Sequence, residues 1–449
     1  MVEISPVSQS LCPVCFKKIV AHKVEQSGNV YLEKSCPVHG YFRALIWRQN
    51  AGHYLDWAKG SVRGSGAMSN YTSISRGCPY DCGLCPEHHT RACATVIEVT
   101  HNCNLACPVC FAAAEKKQIR DPSIDIIRLM YQAVLNGVGL CTIQLSGGEP
   151  TLRDDLPEIA ALGREAGFKH ILINTNGLRI ARDIEYLQRL KDNGAGTIYL
   201  QFDGVTDDVY RTIRGQNLFD IKTRAIANCS LVNIGVVLVP TLVPGVNESQ
   251  LGDIVKFAKE WMPIVKGVHF QPVSYLGRYP HPPSDSDRIT LPDIISTLET
   301  QTRGELKVSH FQPRKVEESH CGFSGVFFLT EGKLQALTGN IEEPENNHKP
   351  AAEIPEESTR KFMAQHWQID DCCCQTGGAN DFIDQLLRYN LTISGMPFQD
   401  IWNLDLDRLR ACCIHVVTPD LRIIPFCAHY LTNAAGQRLY PDILVKQES

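Results

Sequence analysis

The stretch Thr95-Val-Ile-Glu-Val-Thr100-His-Asn-Cys103-Asn-Leu-Ala-Cys107-Pro-Val-Cys110-Phe111 decides the fold. Residues 95–100 are β-branched except for Glu98, a composition that suits a strand in a packed sheet. Three cysteines spaced C-x3-C-x2-C follow at once, so they fall on the loop at the strand's C-terminal end, the face where parallel α/β barrels build their active sites. Working outward, β-rich runs recur at Cys141–Leu145, His170–Asn174, Thr197–Phe202, Ile234–Val239 and Gly267–Pro272. Amphipathic helix patterns lie between them at Ile124–Asn136, Asp155–Ala166, Ile184–Asn193, Ile221–Leu231 and Glu248–Trp261. Six strand–helix repeats predict an α/β fold, a partial (β/α)6 TIM-like barrel.

The rest of the 449-residue chain leaves room for two or three domains. With 44 basic and 49 acidic residues the net charge is −5, which excludes a broadly basic nucleic-acid footprint. The longest apolar run, 234–246, contains Pro240 and Pro244 and falls short of the roughly 20 residues a membrane span needs. The first residues, MVEISPVSQS, carry neither a basic cluster nor an apolar core, so the expectation is a cytoplasmic protein without a signal peptide or transmembrane segment. The informative count is 19 cysteines, clustered in a long chain, which points to metal ligation rather than a disulfide scaffold.

Three close thiols hold three irons of a 4Fe–4S cluster, whereas a closed cluster takes four cysteines. Cys103, Cys107 and Cys110 therefore suit a cluster whose fourth iron is open to a ligand; a structural zinc knot or a distant fourth cysteine is the alternative. The second predicted strand runs into Gly147-Gly148-Glu149-Pro150, where two glycines permit close approach to the backbone and Glu149 offers an acceptor for an ammonium group.

Together these two motifs resemble the radical S-adenosylmethionine (SAM) superfamily over Thr95 to about Pro272. The resemblance implies that the open iron chelates SAM, that the reduced cluster cleaves it to a 5′-deoxyadenosyl radical, and that this radical abstracts hydrogen. It further implies that Gly147, Gly148 and Glu149 meet the methionine ammonium, and that Asn174, Asn176, Gln201 and Asp203 meet the ribose and carboxylate. The family often has an aromatic just before the third cysteine; here that residue is Val109, and Phe111 is the candidate to cover the adenine.

Three more cysteine groups flank the barrel. Cys12, Cys15, Cys36 and His39 form two ligand pairs in a rubredoxin- or zinc-ribbon-like knuckle for one mononuclear Fe or Zn. Cys78, Cys82, Cys85 and Cys93 suit a closed auxiliary 4Fe–4S cluster, with a second SAM site as the alternative. Cys321, Cys412, Cys413 and Cys427 suggest a further auxiliary cluster folded back on the barrel, although buried core thiols would look the same; Cys372–Cys374 is a run without an assigned role. Cys141 and Cys229 sit in strand and helix patterns and read as core.

The expected organisation is a metal knuckle (1–60), an auxiliary cluster segment (61–94), the barrel (95–288), a substrate-covering region (289–403) and a C-terminal cluster segment (404–449). This arrangement is similar to the radical SAM subfamily of archaeal tetraether lipid synthase, formerly assigned to pterin methylation. It implies hydrogen abstraction from unactivated sp3 carbons of lipid chains and their C–C coupling, transient contact with a membrane surface, and a reductant such as ferredoxin or flavodoxin. Methylation of a pterin or other small molecule is the first alternative, and a non-catalytic iron–sulfur electron carrier the second. The lipid reading carries further expectations: an apolar tunnel walled by Phe323–Leu329, Phe382–Leu391, Met396, Phe398 and Trp402, with Arg278 at its mouth for a polar head group.

Overall fold

The computed structural model describes residues 2–59, 71–114, 120–314, 318–339 and 388–441. Cys372–Cys374 and most of Phe382–Leu391 lie outside the described residues.

All six expected barrel strands form: β1 Ala94–Thr100, β2 Thr142–Gly147, β3 Ile171–Thr175, β4 Thr197–Gln201, β5 Gly235–Val239 and β6 Val265–Pro272. They pair in sequence order, each parallel to the next. Every residue of β1 and β5 is buried, as expected for parallel strands covered on both faces. Five helices match the periodicity closely, namely Ile124–Gly137, Leu156–Glu165, Ile184–Asp192, Phe219–Leu231 and Leu251–Glu260. Their apolar stripes join the outward side chains of the strands in one core containing Ile97, Ile143, Ile173, Ile198, Val236 and Val268. A sixth helix, Asp207–Arg214, has no counterpart in the sequence reading. It is short and half of its residues are charged, yet it is strongly amphipathic, with Val209, Tyr210, Ile213 and Arg214 buried on one face.

Beyond the barrel, the chain adds to the same sheet instead of forming detached extensions. Strand β7 (Phe323–Thr330) pairs antiparallel with β8 (Asn390–Gly395), and β8 lies parallel beside β6. At the opposite edge β9 (Ile414–Val417) lies parallel to β1, followed by antiparallel β10 (Ile423–Pro425). Both edges of the six-strand arc are thereby covered. This placement corrects the expected tunnel walls. Phe323 and Phe327 pack edge-on and tilted against Phe311 in the core, and Trp402 packs against Tyr275 and Tyr279. Met396 and Phe398, in contrast, face the barrel mouth.

The N-terminal unit is an antiparallel ribbon built on Lys18–Gln26, Asn29–Cys36 and Gly40–Trp47, with Ser8–Leu11 on its edge. It docks on the C-terminal part of the chain through buried Lys34, which donates to the Ile401 carbonyl (2.6 Å) and to Ser10, and through the Lys23–Asp405 ion pair (2.6 Å). No helix among the described residues is long and apolar enough to cross a membrane.

Candidate cluster and cofactor site

The three cysteines after β1 converge on a cavity of about 220 Å³ at the C-terminal mouth of the barrel. Cys107 is buried, Cys103 and Cys110 are half-buried, and all three line that cavity together with Gly147, Gly148 and Glu149. The loop is fixed at both ends by backbone. On one side Gly148 N–H donates to the Thr100 carbonyl and Glu149 N–H to the Asn102 carbonyl, both at 2.8 Å. On the other, Cys110 and Arg278 exchange N–H···O bonds of 2.9 Å each.

The two glycines of β2 serve this contact first. A Cβ on Gly147, whose φ is +125°, would lie 2.0 Å from the Thr100 carbonyl oxygen, and one on Gly148 would lie 2.1 Å from that of Asn102. The close approach they permit is thus that of the cysteine loop itself. Arg278 also differs from its expected role. Its guanidinium donates to the carbonyls of Cys107 (3.1 and 3.0 Å) and Ala114 (3.1 Å), so it clamps the loop instead of waiting at a channel mouth for a head group.

Burial, together with nearby Glu149, Cys107 and Cys110, pushes the Cys103 thiol up to about 12. Burial favours the protonated Cys103 thiol, and a cationic iron–sulfur core would draw out the thiolate that ligation requires. The polar rim likewise fits SAM. Asn174 donates to Gln144 (3.2 Å), but its buried Oδ1 has no partner and faces a cavity it helps to line. Glu149 is 1% exposed and holds the ends of β2 and β3 together: Oε1 accepts from Thr151 and Thr175, and Oε2 from Asn176 N–H at 2.7 Å. Oε2 has only that one protein donor among the described bonds and retains acceptor capacity toward an ammonium group. Asn176 reaches back to Asn104 of the cysteine loop (2.7 Å). Phe111 lines the cavity with its ring against Phe426 and Tyr430 (centroids 5.4 and 4.9 Å).

Asp203 does not reach the cavity. It is fully buried and binds Arg214 in a two-pronged pair (2.7 and 2.8 Å) while accepting Thr241 N–H. Arg214 is the group that faces the cavity, with a hydrogen bond to the Cys107 side chain. Gln201 lies between it and Lys222, whose buried ammonium donates to the Asn176 carbonyl (2.6 Å) and to Gln201 (3.3 Å). Burial lowers Lys222 to about 8. Sequence reasoning missed both cations: Arg214 ends a two-turn helix that the sequence reading did not place, and Lys222 reads as an ordinary helix-surface lysine. Two buried cations beneath three thiolates and a carboxylate-bearing cofactor are electrostatically complementary.

The other thiol groups gather in three places. Cys12, Cys15 and Cys36 Sγ and His39 Nδ1 all lie within 4.8 Å of one another, a spacing for a single ion. Cys78, Cys82 and Cys85 line one small cavity; Cys93, expected to complete that set, instead has its Sγ 2.6 Å from Cys413 Sγ. Cys321, Cys412, Cys413 and Cys427 line a third cavity, where Arg408 donates to Cys321 Sγ (3.5 Å) and Gln399 N–H to Cys427 Sγ (3.3 Å). That cavity shares Met396, Phe398, Ile414 and Phe426 with the SAM-side cavity. Cys141 and Cys229 are buried, as core residues should be.

Comparison with known proteins agrees with this geometry. The family model of the radical SAM superfamily matches residues 97–258, and that of the HMPTM N-terminal zinc ribbon domain matches residues 6–48. A 7,8-dihydro-6-hydroxymethylpterin dimethyltransferase from Methanocaldococcus jannaschii is 38% identical over 472 aligned positions, covering 94% of this chain and 92% of that one. An Fe-coproporphyrin III synthase from Methanosarcina barkeri is 36% identical over 136 positions, 30% of this chain and 33% of its own. The crystal structure of Streptococcus suis SuiB bound to S-adenosylmethionine matches 48% of each chain at 18% identity, with a TM-score of 0.38. This relative, aligned nearly end to end, is named for a pterin and not for a tetraether lipid, so the superfamily part of the expected kinship is shown and the tetraether subfamily is not. The chain belongs to the radical SAM superfamily, among members that carry a zinc ribbon ahead of the barrel.

Proposed function

We propose that this enzyme is a radical SAM transferase that methylates a small planar heterocycle of the pterin class. The carrying observation is the end-to-end similarity to a pterin dimethyltransferase, joined to a cavity of about 220 Å³ whose largely apolar wall carries polar groups at Gln144, Asn174, Tyr199 and Gln271. When bound, the cluster and SAM supply a carbon-centred radical able to abstract hydrogen from a C–H bond that no acid or base could usefully deprotonate. The chain's own residues bind and orient. Cys103, Cys107 and Cys110 hold three irons; Glu149, Asn174 and Asn176 receive the methionine ammonium and ribose; Arg214 meets the carboxylate.

On the far side, inward-facing Tyr199 of β4 and His269 and Gln271 of β6, together with Arg314, offer donors and acceptors to the edge of a flat ring. Burial and nearby Arg314 lower His269 to about 3, so it is a neutral imidazole, bonded to Ser394 Oγ at 2.8 Å. Met396, Phe398, Ile414 and Phe426 supply an apolar face for stacking and exclude water from the reacting carbon.

A second reading, coupling of lipid chains at unactivated carbons, draws on that same apolar wall, which continues into the third thiol cavity. One experiment separates them. Anaerobically reconstituted, reduced enzyme is incubated with SAM carrying a labelled methyl group and either a hydroxymethyl-dihydropterin or dialkyl lipid vesicles, and products are read by mass spectrometry. Labelled methyl on the pterin supports the proposal. An unmodified pterin together with lipid masses reduced by two hydrogens per new C–C bond overturns it in favour of the second reading.

A further inference from the structure

The small cavity that gathers Cys78, Cys82 and Cys85 holds two other ligand-type side chains, Glu87 and His88. Glu87 is committed to backbone: its Oε2 accepts Cys78 N–H at 2.6 Å. Cys93 is committed elsewhere, against Cys413. His88 is placed by the same short loop, its own N–H donating to the Cys85 carbonyl at 3.0 Å, and thus completes a C-x3-C-x2-C-x2-H run.

The ring's polarity is fixed by its surroundings. The Cys412 carbonyl can only accept, so His88 Nε2 carries the proton and donates to it at 2.9 Å. Nε2 of His415, 3.0 Å away, is then on the accepting side of the same N–H. Thr90 Oγ1 also donates to the Cys412 carbonyl at 2.8 Å and holds that acceptor in place. In the neutral ring this leaves Nδ1 as the bare lone pair. An imidazole with one nitrogen anchored to a backbone carbonyl and the other unprotonated is the arrangement that metal-ligating histidines adopt.

We infer that His88, and not Cys93, is the fourth protein ligand of an iron–sulfur cluster held by Cys78, Cys82 and Cys85. An imidazole in place of a thiolate removes one negative charge from the cluster's ligand shell and raises its reduction potential, the direction in which histidine ligation moves other clusters. The Nε2–H···O bond to Cys412 also ties this cluster to the segment just before β9, where Cys412 and Cys413 line the third thiol cavity. This inference requires a cluster on these three thiols and is independent of the substrate proposed above.

The test uses the full reconstituted chain, uniformly 15N-labelled but grown with 14N-histidine, reduced and without SAM so that no cofactor nitrogen is present. Pulsed EPR should detect a directly coordinated 14N imidazole coupled to a 4Fe–4S signal. The coupling should vanish in His88→Ala, and the signal should shift to lower potential in His88→Cys while iron content stays the same. Cys93→Ser should leave the coupling in place. Absence of the coupling in the unmutated enzyme overturns the inference without recourse to any variant. Its persistence in His88→Ala, or loss of about four irons in Cys93→Ser but not in His88→Ala, overturns it equally.

Discussion

A single methyl group decides whether the cysteine loop can sit on β2. Gly148→Ala would place a Cβ 2.1 Å from the Asn102 carbonyl oxygen, and backbone cannot move aside as a flexible side chain would. The expected outcome is loss of about four irons per chain and of 5′-deoxyadenosine formation, while the zinc-ribbon metal stays; iron analysis and product assay check this. Asp203 acts at one remove from the chemistry. Its pair with Arg214 is 0% and 6% exposed, and deleting one partner of such a pair leaves an uncompensated buried charge, at a cost of about 3–5 kcal/mol. Asp203→Ala should therefore lower the midpoint of denaturant unfolding markedly, and Asp203→Ala with Arg214→Met should recover part of that loss. His170 offers a pH test. It sits between Thr142 and Thr197, and burial lowers its pKa from 6.5 to about 4. Below 6.5 the unfolded chain binds the proton and the folded one does not, so stability is complete above 6.5 and falls as pH drops toward 4, by up to about 3 kcal/mol. His170→Gln should remove that portion of the slope in unfolding measured across this window.

At the scale of elements, the loop from Cys103 to Ala114 has little regular structure of its own and takes its shape from its neighbours. β2 holds one end, while Arg278, just past β6, bonds to three points along the other. Arg278→Ala keeps the Cys110–Arg278 backbone pair but loses three charge-assisted bonds, a class worth about 1.5–3 kcal/mol each net of competing water. The expected result is a cluster that forms yet is lost several-fold faster to a chelator, followed by its visible absorbance. The six barrel strands and five of the helices were legible because burial on both faces and a 3.6-residue apolar repeat leave strong marks on composition. Helix Asp207–Arg214 was not, because four of its eight residues are charged and two turns are too short a stretch for a period to stand out.

At the scale of the molecule, one sheet runs from β7 through the barrel to β10, and the N-terminal quartet sits on a separate antiparallel sheet. Anaerobic reconstitution should yield three 4Fe–4S clusters and one mononuclear metal, and iron and sulfide analysis showing a single cluster would contradict that count. Local spacing alone determined the SAM-side cysteines, the Gly-Gly-Glu turn, the zinc-ribbon quartet and the barrel, because in each the partners are neighbours along the chain or recur with the period of a regular element. Only the tertiary structure decided the rest. It set Asp203 behind Arg214, brought Cys93 against Cys413 across 320 residues, and placed the Cys412 carbonyl on His88 Nε2 across 324. The last two pairings depend on β9 lying next to β1, and strand adjacency between distant segments is set by the burial of whole faces, which no short window of sequence records.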